Sequence, residues 1–184
     1  SKTISTKTLK EHQETLLGLL KILQGFLDKN HLVWWATGGT LLGAVRDKNI
    51  IKWDDDIDIE APSETVDFLK NSEKELDSLG LKFEMDDHIW RIRYKKEDIA
   101  FIDVFEVQKN PENTAIWQYV DKFNTERWPN SYFKNSEIFP IEKYTFGSLS
   151  INGPSKPFPY LVRQYGEWET PVKDNAHYKF EKDF

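Results

Sequence analysis

Gly38-Gly39-Thr40-Leu41-Leu42-Gly43-Ala44-Val45-Arg46, followed by Ile51-Lys52-Trp53-Asp54-Asp55-Asp56-Ile57-Asp58-Ile59-Glu60, is the stretch that decides how this chain reads. Asp54, Asp55, Asp56 and Asp58 put four carboxylates into five residues. Like charges at that density repel unless the stretch is solvated or holds something positive. Asp56-Ile57-Asp58-Ile59 alternates polar and apolar, which is a strand pattern. Side chains at i and i+2 of a strand share a face. Asp56 and Asp58 therefore project together, with Glu60 next in the series, while Ile57 and Ile59 turn into a core. Carboxylates pinned this way suit a hard divalent cation such as Mg²⁺. They point to chemistry on a phosphorylated substrate. The plainer alternative is a solvated acidic loop that caps the helix beginning near Ser63. Asp54 and Asp55 stay open: either could orient Arg46 or Lys52, or touch a second metal.

Gly38-Gly39-Thr40 sits between an apolar strand over 32–36 and a short helix over 40–47. Glycines let backbone N–H groups approach an anion closely, and a helix start adds partial positive charge, so a phosphate is the natural ligand. A two-glycine turn alone is more often structural; the acidic strand soon after it favours function. Arg46, just beyond, can clamp a phosphate bidentately or neutralise the Asp cluster.

Asp103 lies in the apolar run Ile99-Ala100-Phe101-Ile102-Asp103-Val104-Phe105. A lone carboxylate there is costly to bury unless it binds a metal or pairs with an Arg, and the sequence leaves both open. If this strand lies beside Asp56–Asp58, three carboxylates converge, and the site could hold two Mg²⁺ ions bridging nucleotide phosphates. Arg91 and Arg93 share one strand face, with Trp90 and Ile92 on the other. His12, His31, His88 and His177 show no metal spacing and read as structural. Trp117, Tyr119, Trp128, Tyr160 and Trp168 could floor an acceptor pocket, though most read as core.

The remaining pattern predicts an amphipathic helix over 7–29 and a second over 63–79, ended by Gly80. Strands are predicted over 81–85, 88–94 and 99–107, with a hairpin turn at 95–98. Residues 108–142 read as irregular, with a short helix near 114–123. A strand pair over 143–151 turns at Gly147-Ser148, and a last helix over 157–165 ends at Gly166. The tail from Lys173 is polar and expected to fray. This order predicts an α/β (α+β) fold, a small mixed sheet flanked by helices.

At 184 residues the chain is expected to form a single domain, 1–184. The net charge of −6 argues against a nucleic-acid partner held by bulk electrostatics, though not against a single nucleotide. The absence of Cys excludes disulfides and Cys-based zinc sites, and fits a reducing compartment. No apolar run approaches the roughly eighteen residues of a membrane span, and Ser1–Lys10 lacks the apolar core of a signal peptide. A soluble, cytoplasmic protein is the expectation.

The first two motifs together resemble the G-G-[ST]-L-L-G-x-x-R…W-D-x-D-x-D signature of the LicD family. That family includes bacterial phosphocholine transferases and is related to the fukutin and fukutin-related proteins. Phe139-Pro140, Tyr144-Thr145-Phe146-Gly147, Pro159-Tyr160-Leu161 and Tyr165-Gly166-Glu167-Trp168 resemble its looser late segment, so the likeness covers most of residues 15–172. The resemblance implies a nucleotidyltransferase-like fold of the DNA polymerase β superfamily. It implies transfer of a phospho-alcohol group, such as choline phosphate or ribitol phosphate, from a CDP-linked donor to a sugar hydroxyl of a glycan, releasing CMP. Carried onto this chain, it makes Asp56, Asp58 and Asp103 the catalytic, metal-binding carboxylates for Mg²⁺ or Mn²⁺, with Asp54 nearby. It makes Gly38, Gly39 and Thr40 the phosphate cradle, with Arg46 beside them, and Asp103 the acceptor of the hydroxyl proton. The chain departs from larger relatives in lacking a membrane anchor, a Cys-based zinc insert and an extra domain, so any acceptor pocket must come from residues 108–172. Two other readings remain: a D-x-D glycosyltransferase using a nucleotide-sugar, and a domain that binds a glycan or partner without turnover.

Overall fold

The structure, a computed structural model, describes residues 4–5, 7–97, 99–172 and 179–180, the first and last segments by backbone alone. Asp98 of the expected hairpin turn, His177 and most of the polar tail lie outside the described residues.

After β1 (Ile4–Ser5), a capping box opens α1 (Leu9–Lys29). The Thr8 hydroxyl accepts from Glu11 N–H at 3.0 Å, and the Glu11 carboxylate accepts from Thr8 N–H at 2.9 Å. Leu16, Leu19, Leu20, Leu23, Phe26 and Leu27 form its buried stripe. β2 (Trp35–Ala36) is shorter than the predicted strand. At Val33 the carbonyl instead accepts from the Thr65 hydroxyl at 2.7 Å. α2 (Gly38–Leu42) starts on the glycines themselves, and a wider π turn, Gly43–Asp47, continues it to Lys48.

The acidic strand is β3 (Ile57–Pro62), with Asp56 just before it. The helix predicted over 63–79 is two helices, α3 (Ser63–Lys70) and α4 (Glu73–Ser78). The break falls at Asn71-Ser72, where the Ser72 hydroxyl donates to Phe68 O at 2.6 Å. Such residues offer the backbone local bonds that compete with helix continuation. β4 (Leu81–Asp86) and β5 (Ile89–Tyr94) form a hairpin through Asp87 and His88, at φ +45° and +70°. β6 (Phe101–Lys109) follows.

The short helix predicted near 114–123 is corrected. β7 (Ile116–Tyr119) occupies that stretch, pairing with β6 so that Tyr119 faces Val107. α5 (Lys122–Arg127) begins only after Asp121, whose carboxylate accepts from Asn124 N–H at 3.0 Å. β8 (Phe133–Lys134) pairs with β7 and leads into α6 (Asn135–Ile138). β9 (Glu142–Phe146) and β10 (Leu149–Gly153) form the expected hairpin about Gly147. α7 (Phe158–Tyr165) is the last described helix, and β11 (Lys179–Phe180) pairs in parallel with β1.

The main sheet runs β2-β3-β6-β5-β4, with β7 and β8 extending from the far end of β6. Only β3 and β6 within it are parallel. Their register sorts the two faces. Ile57 lies beside Ile102 and Ile59 beside Val104, all fully buried. On the opposite face Asp58 lies beside Asp103, and Glu60 beside Phe105. Helices flank this mixed sheet, as predicted. Among the described residues no helix is long and apolar enough to cross a membrane.

α7 is bolted down at two points. Tyr160 stacks on Phe133 with centroids 4.0 Å apart. Arg163 grips Glu137 bidentately at 2.7 and 2.9 Å and donates to Tyr132 O at 3.0 Å. Glu137 is 4% exposed, so removing its partner strands a buried charge. Arg163→Ala is expected to cost about 3 kcal/mol. Urea denaturation checks this; a loss under about 0.5 kcal/mol, the range of ordinary surface changes, would mean the pair does not anchor the helix.

Candidate active site

The site grows from the β3–β6 register. Parallel neighbours in register sit about 4.8 Å apart, so Asp58 and Asp103 meet side by side. Asp103 and Asp58 lie close enough for one to raise the other's hold on a proton, and Asp56 does the same to Asp54. Burial, then the charges of Asp56, Asp103 and Asp54, holds the Asp58 carboxyl well above the usual range. Burial, then Asp56, pushes Asp54 up to about 9. Asp54, Asp55 and Asp56 also offer ligand oxygens within 4.8 Å of one another. Crowded all-oxygen donors with a raised affinity for protons are a set that a hard divalent cation fits, since it can compete with protons for them.

The glycines make room for these acids. A Cβ on Gly39 would stand 2.9 Å from Asp54 Oδ2. One on Gly38, at φ +55°, would stand 3.3 Å from Asp58 Oδ2. Thr40, predicted beside a phosphate, is buried, and its hydroxyl oxygen accepts from Asp58 N–H at 2.8 Å. It thereby positions the strand entry and keeps its own proton to donate.

Arg46 is held in place. Its Nε and Nη2 donate to the two Asp47 carboxylate oxygens at 2.8 and 2.9 Å, and its Nη1 to Trp168 O at 3.0 Å. It ties the segment after α7 to the π turn. Arg91 lies beside Asp103 in register, but pairs with Asp86 at 2.8 Å and covers the Phe101 ring. Arg93 pairs with Glu84.

Sequence reasoning missed the supports. The buried His12 bonds Asp55 O through Nε2 at 2.8 Å. A carbonyl only accepts, so Nε2 carries the proton; burial lowers the His12 pKa and keeps the ring neutral. Gln13 donates to Asp54 O at 2.8 Å and to the carbonyls of Ile51 and Lys52. These residues lie about forty positions away in sequence, with no local signal of their role. Beneath the glycines, Gly38 N–H donates to the Tyr160 hydroxyl oxygen (3.0 Å), and the same hydroxyl meets Thr37 Oγ1 (3.2 Å). Thr37 in turn donates to Glu60 at 2.8 Å. Trp35 Nε1 donates to the other Glu60 oxygen at 3.0 Å. Burial pushes Glu60 up to about 7, against these opposing bonds.

Two cavities adjoin the carboxylates. The larger, about 470 Å³, is walled by Arg46, Trp53, Asp54, Asp56, Tyr165 and Trp168. The smaller, about 180 Å³, borders Asp58, Tyr119, Trp128 and Gln164. Gly39 and Tyr165 line both.

Residues 31–156, more than half of the chain, match the model of the LicD/FKTN/FKRP nucleotidyltransferase domain. The chain belongs to the LicD family. It is 33% identical over 173 residues to an uncharacterized protein of Rickettsia prowazekii, covering 91% of this chain and 62% of that one. It therefore spans less than two thirds of that relative. A 52-residue stretch is 40% identical to the lipopolysaccharide cholinephosphotransferase LicD of Haemophilus influenzae, covering 28% of this chain and 20% of that protein. The solution structure of the antibiotic-resistance factor ANT(2'')-Ia superposes with a TM-score of 0.53 at 17% identity, over 88% of this chain and 79% of that one. The fold is that of the nucleotidyltransferases.

Two outcomes test the acid cluster. Without a cation, carboxyls with raised pKa stabilise the fold while protonated. That contribution is full below their unfolded pKa, near 4, and is lost as pH rises through about 9 for Asp54. A cation competes with those protons, so Mg²⁺ should raise the melting temperature more at about pH 8.5 than at about pH 5.5. Scanning fluorimetry reads this directly, and a pH-independent or absent shift counts against the site. Gly39→Ala should abolish most of the Mg²⁺ shift, because its Cβ collides with Asp54 Oδ2; an unchanged shift would detach Asp54 from the metal.

Proposed function

We propose that the chain transfers a phospho-alcohol group, such as phosphocholine or ribitol phosphate, from a CDP-linked donor to a sugar hydroxyl of a glycan. The observation that carries this reading is the Asp58–Asp103 pair in parallel register, with Asp54 and Asp56 alongside. Asp56, Asp58 and Asp103, with Asp54, would hold Mg²⁺ or Mn²⁺, which when bound supplies charge neutralisation at the donor's phosphates.

The chain's own groups divide the remaining work. The larger cavity lies in the range of about 300–1,000 Å³ typical of small-molecule sites, and Trp53 and Trp168 offer it flat surfaces for a cytosine ring. The Gly38-Gly39 turn lets the donor's phosphates approach the backbone closely. Arg46, fixed by Asp47 and Trp168 O, forms part of the cavity wall. The acceptor hydroxyl attacks phosphorus, the bond to the CMP oxygen breaks, and the hydroxyl proton passes to the Asp58–Asp103 pair, with Asp103 as its final acceptor. Tyr165 stands where both cavities meet; its hydroxyl stays protonated because burial raises its pKa.

Thermal shift in Mg²⁺ with CDP-choline, CDP-ribitol, CDP-glycerol, CMP, UDP-sugars and GDP-sugars tests the reading. A Mg²⁺-dependent rise confined to CDP-linked donors and CMP, and lost in Asp58→Asn, is expected. A rise only with UDP- or GDP-sugars would instead make the chain a glycosyltransferase. No rise with any nucleotide would leave a binding domain without turnover.

A further inference from the structure

We propose that the smaller cavity is the acceptor subsite, that it admits one uncharged sugar ring, and that Gln164 and Ser131 select that ring. The inference rests on the transferase reading above and gives it a substrate class. The cavity opens on the carboxylate face of the sheet, with Asp58 in its wall, so a ligand there touches the reacting centre. Its volume, about 180 Å³, falls below the range of about 300–1,000 Å³ for drug-sized ligands. A single sugar ring suits that volume better than a nucleotide does.

The lining sets the chemistry. Among the described residues no Lys, Arg or His borders the cavity, so no cationic side chain is there to pair with the carboxylate of an acidic sugar. Polar side chains form part of the lining. Burial raises the pKa of Tyr119 and keeps it neutral, with Ser131 beside it. Ser131 Oγ donates to Gln164 Oε1 at 2.7 Å. This fixes the amide of Gln164 and leaves its NH₂ group as a donor to a ring hydroxyl. The aromatic side is braced in turn. Trp128 meets Phe105 and Tyr119 edge to face at 5.8 and 6.2 Å, and Arg127 lies 4.0 Å over its ring. A lining that combines aromatic rings with hydrogen-bonding groups matches a pyranose, which carries C–H surface and hydroxyls together. A quaternary ammonium would gain from the aromatic rings and Asp58 but leave Gln164 and Ser131 without partners, so choline is the competing ligand that the test must exclude.

Saturation-transfer NMR on the full chain with Mg²⁺ and no donor tests this, using methyl β-D-galactopyranoside, methyl α-D-glucopyranoside, methyl β-D-glucuronide and choline chloride. Donor binding is not read, so this proposal and the CDP-donor reading fail separately. At least one neutral glycoside is expected to bind in the millimolar range, with the glucuronide and choline silent. Gln164→Leu, losing one hydrogen bond, should weaken that glycoside about tenfold. Trp53→Ala, in the larger cavity, should leave it unchanged. Ser131→Ala provides a second variant should Gln164→Leu not fold, and should weaken binding in the same direction. Binding lost in Trp53→Ala but kept in Gln164→Leu, preference for the glucuronide, displacement by choline, or no glycoside binding at all would each overturn the proposal.

Discussion

The whole arrangement depends on one unfavourable contact: two carboxylates side by side on parallel strands, Asp58 against Asp103. Like charges held this closely cannot both ionise without compensation. The fold tolerates them because alternate residues of the same strands are a dry apolar layer. Ile57, Ile59, Ile102 and Val104 are fully buried, and a one-residue slip in register would send them to the acidic face. The hydrophobic pattern thus enforces the repulsion. A proton on one partner would relieve it, and so would the proposed cation.

Everything near that contact serves to hold acids still. The glycines stand where any side chain would push Asp54 or Asp58 away. Thr40 secures the Asp58 backbone. His12 and Gln13, on the first helix, clamp the carbonyls of the loop that carries Asp54 and Asp55. Burying a neutral histidine for this purpose is economical: it satisfies a backbone carbonyl without adding a charge near the cluster. Glu60 sits one layer deeper, and its hydrogen-bond chain through Thr37 and Tyr160 reaches the Gly38 N–H. The late helix is thereby coupled to the glycine turn.

The sheet core and the acidic strand were legible because their signals are local: alternation at 56–59, an apolar run around Asp103, glycines before a helix. The convergence of Asp58 and Asp103 could be posed only as a condition, since strand pairing is a long-range fact. The errors were places where local and tertiary preferences part. Residues 114–123 carry no strong alternation, yet Tyr119 gains a partner in Val107 and becomes strand. The Asp87-His88 turn uses positive φ at residues that are not the usual Asn-Gly pair, so its sharpness was invisible. Asn71-Ser72 broke a helix whose leucine spacing continued through it. Arg46 was legible as a residue near the acids, but its partners, Asp47 and Trp168 O, required the fold.

The two cavities differ in a way that follows from where their walls come from. The larger one is built mainly from the motif stretch itself, residues 39–56, closed by the segment after α7. The smaller one draws Trp128 and Ser131 from the irregular region and Gln164 from α7, and shares only the glycine turn and Asp58 with the motif. Chemistry common to many donors can reside in a fixed motif, whereas a selective wall is more easily varied on loops hung from a rigid sheet. α7 joins the two. Its Arg163–Glu137 and Tyr160–Phe133 anchors set the height of Gln164 in one cavity and Tyr165 between both. A change in those anchors would therefore shift both cavities together, which makes α7 the element on which the alignment of the two cavities depends.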